Sequence, residues 1–183
     1  MAVRARVVAS EFGTQTGPDG EPYTGISLCP APELVTSLTQ LVGGRIKVNL
    51  SAFRLNLEKD PLKSFIHADL ICSQYATVAY FNTPEQCWGG TAFWKHRQHG
   101  WNAMPTTAEI EAAGMERGPA YVSWMQVQWH TARAWELESL IGMRFNRCIV
   151  YPTELFHSRY PWEAWGHGPK DGRLIWVCFF DRV

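Results

Sequence analysis

Six consecutive residues, Phe65-Ile66-His67-Ala68-Asp69-Leu70, carry the densest chemistry in the chain. In an extended strand, residues two apart project from the same face. The spacing therefore predicts that His67 and Asp69 enter one cavity together, as adjacent ligands to one metal ion. One further imidazole completes a facial triad of two histidines and one carboxylate, which leaves coordination positions open and suits ferrous iron. His157 is the candidate third ligand. It stands in Leu155-Phe156-His157-Ser158, just beyond the apolar stretch Cys148-Ile149-Val150-Tyr151-Pro152. A histidine past a buried strand can turn into the same cavity. The alternatives are an N-capping or surface pair at His67 and Asp69, and a turn histidine satisfied by backbone at His157. Two other histidines, His96 and His99, sit beside Lys95 and Arg97. Without carboxylate or thiolate partners they read as a solvated basic loop rather than a second metal site.

The elements that must position these residues are mostly strands. Residues 1–28 read as a short strand followed by a Gly/Pro/Thr-rich loop from Gly13 to Gly25. Pro32 to Val42 reads as a helix, with Leu34, Val35, Leu38 and Leu41 on one face and Gly43-Gly44 as its stop. Ile46, Val48 and Leu50 alternate, then Phe53, Leu55 and Leu57 alternate in the opposite phase, so a bulge or bend is expected near Ser51-Ala52. Ser64–Leu70, Ala76–Phe81 and Thr91–Lys95 follow as strands. Thr106 and Glu109 form a capping-box signature for a short helix ending at Gly114, and Pro119 opens a second helical stretch reaching Arg133. Strands resume at Trp135–Leu140, Arg144–Tyr151 and Leu174–Phe180. The pattern predicts a mostly β fold, a jelly roll or barrel, as one domain over residues 1–183. A helical insert at about residues 100–134 divides the strands and is expected to act as a lid over the site.

Composition narrows the function classes. At 183 residues and 20.8 kDa the chain is long enough to bury a core without staples. Lys plus Arg and Asp plus Glu are 17 each, and this neutrality argues against duplex nucleic acid as a partner. Nine Trp, nine Phe and six Tyr suit strands and small-molecule pockets. Trp88, Trp94, Trp101, Trp162 and Trp165 are candidates to line such a pocket or to pack in the core. The five cysteines, Cys29, Cys72, Cys87, Cys148 and Cys178, form no CxxC pair and read as reduced core thiols of a cytoplasmic protein. The longest apolar run, Leu174 to Phe180, is seven residues, so no membrane span is expected. The N-terminal MAVRARVVAS has too short an apolar stretch for a signal-peptide core. The expected partner is a small-molecule or peptide substrate.

Several separated pieces share one order: His67-x-Asp69, Thr77-Val78-Ala79-Tyr80-Phe81-Asn82, Gly89-Gly90-Thr91-Ala92-Phe93, Asn146-Arg147-Cys148-Ile149-Val150-Tyr151 with Leu155-Phe156-His157-Ser158, and Gly172-Arg173-Leu174-Ile175-Trp176-Val177. In this order the chain resembles the iron(II)/2-oxoglutarate dioxygenases, and among them the prolyl-hydroxylase-like branch, from about Phe53 to Asp181. The resemblance implies a double-stranded β-helix, one kind of cupin-like jelly roll. It implies Fe(II), 2-oxoglutarate and O2 as cofactor and cosubstrates, with release of succinate and CO2 as an amino acid, peptide or small metabolite is hydroxylated. His67, Asp69 and His157 map onto the iron ligands. Arg173 and Tyr80 map onto the pair that grips the distal carboxylate of 2-oxoglutarate. A guanidinium fork matches a carboxylate. Arg173 follows His157 by sixteen residues, a longer gap than in the family, and Lys170 is the alternative carboxylate partner. Asn146-Arg147 reads equally as a substrate contact or as a sheet staple. The rival reading is a metal-dependent isomerase or a ligand-binding module on the same barrel.

Overall fold

Antiparallel pairing organises the protein. The computed structural model describes residues 2–17, 20, 22–60, 66–69 and 73–183. The chain opens with α1 (Ala2–Val8), the hairpin of β1 (Gly13–Thr16) and β2 (Pro22–Ser27), and α2 (Pro32–Val42). Then come β3 (Ile46–Asn56), β4 (Tyr75–Tyr80) and β5 (Gly90–His96). Two helices follow, α3 (Thr107–Ala112) and α4 (Pro119–Trp129). The chain closes with β6 (Trp135–Gly142), β7 (Cys148–Pro152), β8 (His157–Tyr160) and β9 (Arg173–Arg182). The larger sheet runs β1-β2-β3-β9-β4-β7 and the smaller runs β6-β5-β8. The protein is therefore mostly β, with a few helices on two antiparallel sheets. Among the described residues no helix is long and apolar enough to cross a membrane.

Strand alternation sorts the side chains into layers. From β9, Leu174, Trp176, Cys178 and Phe180 enter a cluster with Val7 of α1 and Leu38 of α2. Ile175, Val177 and Phe179 enter a second cluster with Val78, Tyr80, Tyr151 and Phe93 of the smaller sheet. Both faces of β9 are covered, which is why its sequence is an unbroken apolar run. On the smaller sheet, Ala92, Trp94, Trp135 and Phe156 join Ile66 and Ala68 in a third cluster with Ile110 of α3 and Tyr121 and Met125 of α4.

That third cluster corrects the lid expectation. Ile66 and Ala68 alternate with His67 and Asp69, so the insert helices pack behind the segment that carries the two ligands, on the side away from them. α3 and α4 form a backing layer. Thr106 caps α3 as its capping box predicts, its side chain accepting from the Glu109 N–H. Gly43, at φ 66°, closes α2 in the left-handed region that glycine reaches without penalty.

Four local expectations also change. Residues 2–8 are helical, because Val3 and Val7 lie one turn apart against α2 and the Arg4 Nε donates to the Phe81 carbonyl at 2.9 Å. Docking outweighs the strand preference of β-branched valine. The bulge in β3 falls between Val48 and Leu50, at Asn49, whose Nδ2 reaches Ser73 Oγ at 2.8 Å and Asp181 Oδ2 at 2.9 Å. Strand β7 begins only at Cys148, after a turn in which Asn146 adopts φ 61°. Of the expected strand Ser64–Leu70, residues 64, 65 and 70 lie outside the described residues, as does Cys72. Within residues 66–69, His67 forms an isolated bridge.

Candidate metal centre

Backbone pairing assembles the triad. His67 and His157 oppose each other across the isolated antiparallel bridge and exchange both backbone hydrogen bonds. The His67 N–H donates to the His157 carbonyl at 3.0 Å, and the His157 N–H to the His67 carbonyl at 2.8 Å. Directly opposed residues of an antiparallel pair project from one face. Asp69, two residues on, shares that face, and its N–H donates to the Thr153 carbonyl at 2.8 Å. Pairing of Phe93 with His157 joins β8 to β5. The Ile66 N–H donates to the Trp129 carbonyl at 3.1 Å, tying the ligand segment to the end of α4.

The side chains then converge. One ligand atom from each of His67, Asp69 and His157 lies within 4.8 Å of the other two. Asp69 Oδ2 is 3.2 Å from His157 Nε2, and Asp69 Oδ1 is 3.6 Å from His67 Nε2. Donors bound at about 2.1 Å to one ion stand about 3.0 Å apart at right angles and about 3.4 Å apart at tetrahedral angles. The spacing thus fits a single divalent cation. His157 Nδ1 donates to the Leu155 carbonyl at 2.9 Å, the backbone contact that orients a ligating imidazole and frees Nε2. His67 Nδ1 is buried with no hydrogen-bond partner among the described residues, a polar atom left unsatisfied by the protein. The His67 side chain is 32% exposed against 7% for His157, so solvent reaches the triad from the His67 side.

Charge favours a cation there. Burial alone raises the Asp69 carboxyl, but the charge and hydrogen bond of His157, with His67, hold it well below the usual carboxylate range. Burial pushes His157 down, yet the charge and hydrogen bond of Asp69 outweigh it and its pKa is raised. Burial and the neighbouring His157 lower that of His67. An ionised carboxylate draws positive charge to the point where the three side chains meet.

The residue implied as the carboxylate clamp, Arg173, shares the face of β9 that carries Ile175 into the cluster between the sheets. Arg173 opens β9 and is 4% exposed. Its cross-strand partner is Asn56, whose Oδ1 accepts from Arg173 Nη1 at 3.2 Å. Burial pushes the guanidinium down to about 10, which leaves it charged at neutral pH. No carboxylate of a described residue lies within ion-pair distance. The fully buried Tyr80 hydroxyl meets Thr91 Oγ1 at 2.7 Å, and burial raises its pKa against the opposing charge of Arg173. Tyr151 packs on His157 with ring centroids 4.8 Å apart, and burial lifts its hydroxyl well above the usual range. Thr91 and Tyr151 stand in the ordered motif pieces with no role assigned to them there, and Asn56 has as its signal a polar group at an inward position of an apolar strand.

The remaining candidates fall elsewhere. Lys170 is exposed, and only its carbonyl is held, by Arg4 Nη2 at 3.1 Å and Gln86 Nε2 at 2.8 Å. Arg147 donates to the Gly142 carbonyl at 2.7 Å, a staple across the β6–β7 turn. His96 is not in a solvated loop: it is 1% exposed, between Trp135 at 5.0 Å and His99 at 5.1 Å. Trp94 and Trp101 belong to the cluster behind the smaller sheet, where Trp162 stacks on Trp94. Trp165 borders the cluster between the sheets, with Trp88 edge-on to it and 58% exposed. Clefts on the outer surface, one at Ser73, Tyr75 and Asp181 and one at His96, Gln128 and Arg133, contain none of the triad.

Residues 10–180 match the model of DUF6445, a family of unknown function, and the chain belongs to that family. None of the curated proteins matches it. The crystal structure of AviO1 from Streptomyces viridochromogenes Tue57 is similar at a TM-score of 0.42 and 13% sequence identity, over 93% of this chain and 72% of that one.

Proposed function

We propose that this DUF6445 member is an iron(II)/2-oxoglutarate-dependent oxygenase on a double-stranded β-helix, acting on an amino acid, a peptide or a small metabolite. The observation that carries the reading is the convergence of His67, Asp69 and His157, together with a buried Arg173 on the inward face of β9 that has no carboxylate of a described residue within ion-pair distance. Two antiparallel sheets with their inner faces at the triad support the β-helix reading. Ferrous iron held there, with 2-oxoglutarate and dioxygen, supplies an oxidant for an unactivated C–H bond and leaves succinate and CO2.

The chain's own residues do the rest. His67, Asp69 and His157 would hold the iron and would leave it coordination positions for the cosubstrate and dioxygen. Arg173, steadied by Asn56, presents a planar fork to the far carboxylate of the cosubstrate. Tyr80, fixed by Thr91, adds a hydroxyl in the same field. Phe93 and Tyr151 flank His157 and keep water from its buried side. An isomerase or a binding module on the same barrel needs the triad and has no use for Arg173.

The test is formation of succinate from 2-oxoglutarate by iron-reconstituted protein, with oxygen uptake followed in parallel. Slow turnover is expected even without a primary substrate, and none in His67→Ala. Arg173→Ala is expected to bind iron normally and to need about tenfold more 2-oxoglutarate, or beyond. Iron-loaded protein that makes no succinate, alone or with candidate substrates, and binds no 2-oxoglutarate contradicts the reading.

A further inference from the structure

Arg173 is not the only cation facing the space between the sheets. On β3, Arg54 lies two residues before Asn56 and pairs with Ile175, a member of the inner cluster. On β8, Arg159 lies two residues after His157 and pairs with Thr91, which bonds Tyr80. Register therefore turns Arg54, Arg159 and Arg173 toward the space between the sheets. Their charges act on one another, since Arg54 and Arg159 each oppose protonation of Arg173.

Among the described residues these guanidiniums have no counter-ion. Arg54 Nε is buried and has no hydrogen-bond partner among the described residues, and its guanidinium lies over the Tyr23 ring at 5.5 Å. Arg159 makes one side-chain hydrogen bond, from Nε to the Trp162 carbonyl at 2.5 Å. No described carboxylate comes within ion-pair distance of either. The acids whose charge reaches them are Asp69, Asp60 and Glu163. Asp69 belongs to the triad, Asp60 accepts from the Leu57 N–H at 2.9 Å, and Glu163 is exposed. Arg54 and Arg159 are half-buried, and guanidiniums partly withdrawn from water with no described carboxylate beside them suit an anion that arrives from outside.

2-Oxoglutarate brings two carboxylates, one for the metal and one for Arg173. That leaves Arg54 and Arg159 without an anion from the cosubstrate. Both lie toward the metal end. Arg54 feels the charge of Asp69, and Arg159 shares the strand of His157, whereas Arg173 answers chiefly to Tyr80, Tyr151 and the other two arginines.

On the oxygenase assignment, we propose that Arg54 and Arg159 form a second oxyanion site beside the triad, and that the primary substrate carries a carboxylate or a phosphate held there. The anionic group anchors one end of the substrate and leaves a neighbouring carbon facing the metal. This chemistry favours small acids over neutral metabolites.

The experiment has two arms. In the first, metal-free protein is titrated calorimetrically with acetate and, separately, with inorganic phosphate. One of the two is expected to bind, to weaken about tenfold or more in Arg54→Gln and Arg159→Gln, to recover partly in Arg54→Lys, and to persist in Arg173→Ala. The probe that binds identifies carboxylate or phosphate as the recognised group. No binding of either probe, or binding indifferent to both Gln variants, overturns the site. In the second arm, iron-loaded anaerobic protein is titrated with 2-oxoglutarate. Arg54→Gln and Arg159→Gln are expected to stay within about twofold of the unsubstituted protein. A rise as large as that in Arg173→Ala assigns all three arginines to the cosubstrate and overturns the substrate site while the oxygenase reading stands. Failure of every protein to bind 2-oxoglutarate removes the oxygenase reading itself, whatever the first arm returns, and the substrate role falls with it.

Discussion

Asp69 is the residue on which the triad depends, because it alone touches both imidazoles, at 3.2 Å and 3.6 Å. Its replacement by alanine leaves two imidazoles and no anionic ligand. Metal affinity is expected to fall by at least about a hundredfold, read as retained metal after dialysis, with the far-UV circular dichroism unchanged. Single cysteines report burial in the same way. Burial pushes Cys148 up to about 11 and Cys178 up to about 12. At pH 8 the thiolate fraction is then about one part in a thousand and one in ten thousand. Among the described cysteines, these two are expected to resist iodoacetamide in the native protein and to react only on unfolding. Rapid labelling of Cys178 in folded protein, located by peptide mass, would contradict its burial. At this scale the sequence is legible where spacing fixes geometry. His67 and Asp69 share a face because strands repeat every two residues. Arg54, Asn56 and Tyr151 are legible only once the β3–β9 and β4–β7 registers are known, since nothing local says which face of a doubly covered strand is which.

Elements succeed or fail as readings according to whether their signals are local. α2 and α3 carry their own starts and stops, in Pro32 and Gly43 and in the Thr106–Glu109 box, and both form as expected. α1 has no such signal and is helical because of what it docks against. The insert looked like a lid in sequence, since a helical segment between strands says nothing of which face it covers. Ile66 and Ala68 decide that, and they point into the helices. Where strands turn closely, backbone space rules. Gly89 stands at φ 67°, and a Cβ there would collide with the Tyr160 carbonyl and the Pro161 ring. Its own carbonyl accepts from the Met143 N–H at 2.6 Å. Gly89→Ala is expected to destabilise the protein by at least about 2 kcal/mol, seen as a lowered urea midpoint. An unchanged midpoint would mean that the β5 entry can shift freely.

The whole molecule is a set of layers with its chemistry in the middle. Helices α1 and α2 cover the larger sheet, α3 and α4 cover the smaller one, and both outer clusters are apolar. The space between the sheets holds the triad, Tyr80, Tyr151 and the arginines alongside the apolar cluster around Val78 and Ile175. Neutral net charge conceals this, because of 17 Lys and Arg residues it is Arg54, Arg159 and Arg173 that turn toward the space between the sheets. Composition correctly pointed to a β-rich chain with an ample core, and it had no means of showing where the charges gather. One measurement tests the oxygenase assignment most directly: anaerobic addition of ferrous iron and then 2-oxoglutarate to metal-free protein, followed by visible absorption. The expected result is a weak charge-transfer band of a chelated 2-oxo acid, absent in His67→Ala and shifted to about tenfold higher 2-oxoglutarate, or beyond, in Arg173→Ala. Iron bound at the triad with no band at any 2-oxoglutarate concentration would contradict the account and leave a metal site with some other chemistry.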